Sequence, residues 1–177
     1  MNIVLIGYRA SGKSTIGRIL ATELGLEFVD IDIDIMKRFD DKSVADIWEE
    51  FGEPRYREVE CDVTEEACAR DGQVIALGGG TPMQERAFAA LKGAADTVRF
   101  YLVAAADVLY ERSQIDSANR ENRPSFGSGG GLDEVKKMLE LRSPTYESLC
   151  DHRIDVERQS LADAANQILQ IVRGEPS

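Results

Sequence analysis

Gly7-Tyr8-Arg9-Ala10-Ser11-Gly12-Lys13-Ser14 follows the spacing G-x-x-x-x-G-K-[ST] between an apolar run, Asn2 to Ile6, and an amphipathic one, Lys13 to Leu24. A glycine loop that leaves a strand and opens a helix wraps its backbone N–H groups around an anion, and the helix adds the positive end of its dipole. In that setting Lys13 reaches the β- and γ-phosphates of a nucleotide, and the Ser14 hydroxyl is placed to ligate Mg²⁺. A turn that binds nothing has no use for Lys-Ser after its second glycine. Guanine-binding switches would carry Asn-Lys-x-Asp and Asp-x-x-Gly; neither string occurs, so ATP is the expected nucleotide.

Outward from the loop, short apolar runs alternate with helical periodicity. Glu27 to Ile31, Gln73 to Leu77, Thr97 to Val103 and His152 to Val156 join Asn2 to Ile6 as expected buried strands. Helical patterns cover Lys13 to Leu24, Val44 to Phe51, Arg55 to Ala69, Gln84 to Leu91, Asp107 to Gln114, Leu132 to Leu149 and Leu161 to Val172. Strands alternating with helices imply parallel pairing with right-handed crossovers, hence an α/β fold with helices on both faces of the sheet. The glycine-rich segment Ser117 to Gly131 breaks this rhythm and has the makeup of a functional loop.

The 177 residues suit one domain, and the formal charge of −11 argues against a nucleic-acid or anionic-membrane binder, which needs a basic face. No run approaches the ~20 apolar residues of a membrane span, and Met1 to Gly7 lacks the basic flank of a signal sequence. Cys61, Cys68 and Cys150 have no zinc spacing, and an odd number of thiols suits a reducing compartment. The expectation is a cytoplasmic monomer with small-molecule partners, no nucleic acid and no membrane.

Beyond the loop, three clusters suggest an acceptor for the phosphoryl group. If Phe28-Val-Asp30-Ile-Asp32 ends the second strand, its period of two sends Asp30 and Asp32 to one face at the carboxyl edge of the sheet, where open α/β folds bind ligands. Asp34 continues the alternation and leaves the register open by one step, and two N-caps for a following helix are an equal alternative. Arg57 and Glu60 stand three apart on a helix, as an oriented guanidinium or as a solvated pair. Gly78-Gly79-Gly80 after a strand leave bare amides facing the crevice.

Taken together these motifs resemble the shikimate kinases, in the nucleoside monophosphate kinase-like branch of phosphate-loop proteins. The likeness runs from Ile3 to about Val172 and rests on Gly7 to Ser14, Asp30-Ile-Asp32, Tyr56-Arg57 with Glu60, Gly78 to Gly80, Arg123-Pro124 and Arg142-Ser-Pro-Thr-Tyr146. It implies a three-layer α/β/α fold, a five-stranded parallel sheet in the order 2-3-1-4-5, a substrate-binding segment at about 32–70 and a lid at about 116–131. The implied reaction is ATP + shikimate → ADP + shikimate 3-phosphate, in the making of chorismate and the aromatic amino acids, with Mg²⁺. The resemblance assigns ATP to Gly7, Ala10, Ser11, Gly12, Lys13, Ser14, Thr15, Arg112 and Arg123, and Mg²⁺ to Ser14 and Asp30. It assigns shikimate to Asp32, Arg57, Gly79, Gly80 and Arg142, and catalysis to Lys13, Asp32 and Arg123.

Several positions depart from the family pattern. Arg9 and Ala10 stand where small residues or glycine are commoner, and Arg9 is expected to point outward, within reach of the nucleotide. Arg120 rivals Arg123 for the lid role, and Arg112 has an alternative as an exposed helix cation. Glu157-Arg-Gln-Ser160 lacks the proline frequent in the adenine loop; His152 and Trp48 are expected to be structural. The rival functions are a kinase for gluconate or a nucleoside monophosphate, and a nucleotide-gated binding module without turnover.

Overall fold

The computed structural model describes residues 1–118 and 131–174, so Arg120, Arg123 and most of the expected lid lie outside the described residues. Strands β1 (Asn2–Ile6), β2 (Glu27–Asp30), β3 (Gln73–Ala76), β4 (Thr97–Val103) and β5 (His152–Asp155) form one parallel sheet in the order β2-β3-β1-β4-β5. This is the expected fold. Each residue of β1 is buried because β1 pairs with β3 and β4 and both its faces are covered.

The two-residue period divides the core. Ile3 and Leu5 pack under α1 (Lys13–Leu24) and α7 (Leu161–Arg173), with Ile16, Leu20, Ile168 and Phe100 in the same cluster. Val4 and Ile6 face the other layer, built from α2 (Ile31–Lys37), α3 (Val44–Cys68), α4 (Glu85–Gly93) and α6 (Leu132–Leu149). Helix α5 (Ala106–Ala118) joins that edge through Leu109, which packs with Tyr8 and Val135.

One expectation needs correction. The chain does not stay extended through Asp32: it turns helical at Ile31, so Ile31 and Ile35, four apart on α2, are the residues that reach the core. Val44 to Phe51 and Arg55 to Ala69 are two helices, as expected; they follow one another within α3 and are separated where Gly52 leaves helical geometry at φ 79°, ψ 161°. Pro54 follows at once, at the first turn beyond the kink, where a missing N–H costs little. A 3₁₀ turn at Thr81–Met83 follows the glycine run. The strand ends facing the cleft are the carboxyl ends; at the opposite end buried Arg99 closes the base, donating to the carbonyls of Leu91 (2.7 Å) and Ala94 (3.0 Å).

Candidate active site

The loop after β1 is shaped by its glycines. Gly12 takes φ 94°, a left-handed value that L side chains avoid, and a Cβ there would lie 2.6 Å from Leu161 Cδ2. Ala10 shares the left-handed region at φ 61° without glycine's freedom. Helices α3 and α7 start with Ser43 and Ser160 capping the backbone and an aspartate in the first turn, whereas α1 starts at Gly12 with no side-chain cap and no acidic residue. No side-chain oxygen therefore competes with an anion for the positive end of α1. The Lys13 ammonium lies folded on the loop, donating to the carbonyls of Gly7 (2.9 Å) and Tyr8 (2.8 Å).

Asp30 ends β2 beside this loop and does not cap α2; instead its Oδ2 accepts from the Ser14 hydroxyl at 2.7 Å. Two hard oxygen donors side by side at a phosphate loop suit Mg²⁺, which takes one or two protein ligands and completes its octahedron with phosphate and water. Asp32 occupies the first turn of α2, and both aspartates line one cleft of about 1290 Å³. The pairing predicted from a strand is thus real but made by a strand end and a helix start. Asp34 is not part of it and binds Lys37.

The far wall of the cleft is a strip of backbone with a charged group against each glycine. A Cβ on Gly78 would lie 2.7 Å from Asp32 Oδ1, one on Gly79 3.6 Å from Arg142 Nη1, and one on Gly80 3.0 Å from Arg57 Nη1. Side chains at Gly78 or Gly80 would push these groups aside, whereas at Gly79 a Cβ would make only ordinary contact. Arg57 is held from behind: its Nη1 donates to Glu60 at 2.7 Å, and Glu60, 1% exposed, accepts from the Thr81 hydroxyl on its other oxygen at 2.7 Å. Burial opposes the Arg57 charge, but the Glu60 carboxylate outweighs it, so the guanidinium pKa ends above its usual value. The rings of Trp48 and Tyr56 flank the same guanidinium, 5.5 and 5.4 Å from its Cζ. Trp48 is therefore a cleft residue as well as a packing one.

Arg142, on α6, leans over the Tyr8 ring with Cζ 5.8 Å from its centre. One turn on, the wholly buried Tyr146 donates its hydroxyl to the carbonyl of Gly79. Burial raises this phenol to about 12, while the neighbouring Arg142 cation pulls it back.

Ser14, Thr15, Asp30, Asp32, Arg57, Gly79, Gly80 and Arg142 thus line one cleft, together with Tyr8 and Arg9 of the loop, whereas Gly7, Ala10, Ser11, Gly12 and Lys13 are not among its lining residues. Arg112 stands apart and corrects its alternative: it is half-buried, donating to the Val156 carbonyl at 2.7 Å. Arg9 is a second correction, since it lines the cleft and does not point outward. Thr81 and the hydroxyl of Tyr146 escaped the sequence. Tyr146 carried a signal, as the last residue of Arg142-Ser-Pro-Thr-Tyr146, but a buried phenol has no local mark of which carbonyl it will meet.

The arrangement pairs a nucleotide-phosphate site with an acceptor pocket that offers one carboxylate, two guanidiniums and bare amides. That suits phosphoryl transfer to a hydroxyl on a small acid. Comparison with known proteins agrees. The family model described as shikimate kinase matches residues 9–173. The shikimate kinase of Symbiobacterium thermophilum is 35% identical over 96% of this chain and 95% of its own length, and that of Oleidesulfovibrio alaskensis 36% identical over 96% of each. Among solved structures, shikimate kinase from Acinetobacter baumannii in complex with shikimate superposes with a TM-score of 0.87 at 30% identity, covering 98% of this chain and 93% of that one.

Proposed function

The chain belongs to the shikimate kinase family and is an ATP-dependent kinase, and from that premise we propose how its residues phosphorylate shikimate. The observation that carries the assignment is the glycine strip, with Asp32, Arg142 and Arg57 each set against one of its three glycines. Arg57 and Arg142 grip the substrate carboxylate, whose two oxygens match the planar fork of a guanidinium. The amides of Gly79 and Gly80 contact the ring hydroxyls. Asp32 accepts the proton of the 3-hydroxyl as its oxygen bonds to the γ-phosphorus, and the bond from that phosphorus to the bridging oxygen breaks to release ADP.

On the nucleotide side, Gly7, Ala10, Ser11, Gly12 and Thr15 shape and border the phosphate loop. Lys13 leaves the carbonyls of Gly7 and Tyr8 for the phosphate oxygens, a short swing that replaces two neutral acceptors with charged ones. Ser14 and Asp30 would hold Mg²⁺, which would supply positive charge to the nucleotide phosphates. Arg112 borders the nucleotide from α5, and Arg123 belongs to the same reading as the lid cation over the phosphates. The segment 32–70 serves as the acceptor-binding part of a single domain. The same reading makes the protein a cytoplasmic monomer; among the described residues no helix is long and apolar enough to cross a membrane.

Coupled ADP release with MgATP tests this directly. Turnover should require shikimate and remain at background with gluconate or a nucleoside monophosphate. ADP formation at equal rates with and without shikimate would overturn the assignment.

A further inference from the structure

Arg9 brings into the cleft a charge that phosphate binding does not account for. The loop amides, Lys13 and Ser14 already serve the phosphates, yet Arg9 stands in the same cleft with a buried Nε that has no hydrogen-bond partner among the described residues. Its Cζ is 5.8 Å from the centre of the Tyr8 ring, the same distance at which Arg142 approaches that ring. Its backbone nitrogen lies 3.5 Å from where a Cβ on Gly79 would stand, so it borders the strip at the glycine that Arg142 also abuts. Arg57 has Glu60 behind it; Arg9 has no such carboxylate among the described residues. A buried guanidinium N–H without an acceptor is costly and persists where a ligand supplies the acceptor.

We propose that Arg9 is a third guanidinium for the acceptor carboxylate, acting with Arg57 and Arg142, and that it sets the preference for acids over neutral polyols. The inference rests on the shikimate kinase assignment. A carboxylate offers about four lone-pair sites, enough for at least one N–H from each of three guanidiniums. Arg9 approaches from the loop side, so the acid is read from both walls of the cleft.

Steady-state kinetics of Arg9→Met test it, with folding checked by thermal melting. The KM for shikimate should rise about tenfold, the loss of one charge-assisted contact, while the KM for MgATP stays within about twofold. Shikimate methyl ester, which carries no charge, should show the same KM with wild type and variant. Should the methionine variant not fold, Arg9→Lys keeps the charge but loses the fork, and about a threefold rise is expected. An unchanged KM for shikimate, an equal rise for MgATP, or an equal rise for the ester would overturn the proposal. Shikimate-dependent turnover of the wild type, measured first, separates this outcome from a failure of the assignment itself.

Discussion

The two walls of the cleft are built by different means. On the proposed reading the wall that takes the nucleotide comes from one stretch, Gly7 to Thr15, whose backbone is shaped by left-handed residues, and the other wall takes the acceptor. The acceptor wall gathers side chains from α2, α3 and α6 onto the glycine strip after β3, and each needs something behind it: Glu60 and Thr81 for Arg57, Tyr146 for Gly79. Phosphate is the same in every nucleotide, and a contiguous loop can present amides to it wherever a strand meets a helix. An acceptor has its own pattern of acid and hydroxyls, and matching it requires charged groups aimed from several directions.

If the walls are separable, substitutions in one should leave the other's ligand alone. The largest effect is expected from Asp32→Asn, which keeps the shape but removes the proton acceptor: kcat should fall about 10³-fold with the KM for MgATP nearly unchanged. A parallel loss of MgATP affinity would mean that Asp32 belongs to both walls. Next, Arg142→Ala should raise the KM for shikimate about 30-fold with a smaller change in kcat, since the grip is made before and during transfer. The smallest effect is expected from Ala10→Gly in the loop. Relief of the left-handed alanine should stabilise the protein by about 1 kcal/mol in denaturant unfolding, with the KM for shikimate unmoved. A shift in that KM would show the loop shaping the acceptor wall.

Legibility in the sequence followed the same division. The loop and the helix it opens can be read directly, because backbone-built structure leaves its requirements in consecutive residues, while the strand order follows only from the family resemblance; Lys13–Leu24 and Leu132–Leu149 are helices at the expected bounds. Pairing Asp30 with Asp32 from the sequence takes the strand on to Asp32, whereas β2 ends at Asp30. Ile31-Asp32-Ile33-Asp34-Ile35 alternates apolar and acidic residues like a half-buried strand, yet it folds as a helix, with Ile31 and Ile35 in the core and Ile33 lining the cleft. Seven residues hold too few turns for the two periods to be told apart. The direction of Arg9 differs from expectation for a related reason: a side chain's orientation in a turn depends on φ values and on its surroundings, here the ring of the preceding Tyr8. The supports Thr81 and Tyr146 meet partners 21 and 67 residues away, contacts that no local pattern announces.

The bond from Tyr146 to Gly79 bears on how activity varies with acidity. Since burial pushes that phenol up to about 12, its donor to the Gly79 carbonyl persists from mildly acid to alkaline solution. Loss of turnover in alkali should therefore trace to some other ionisation, with Tyr146→Phe lowering the plateau of the rate profile and leaving its inflections where they were.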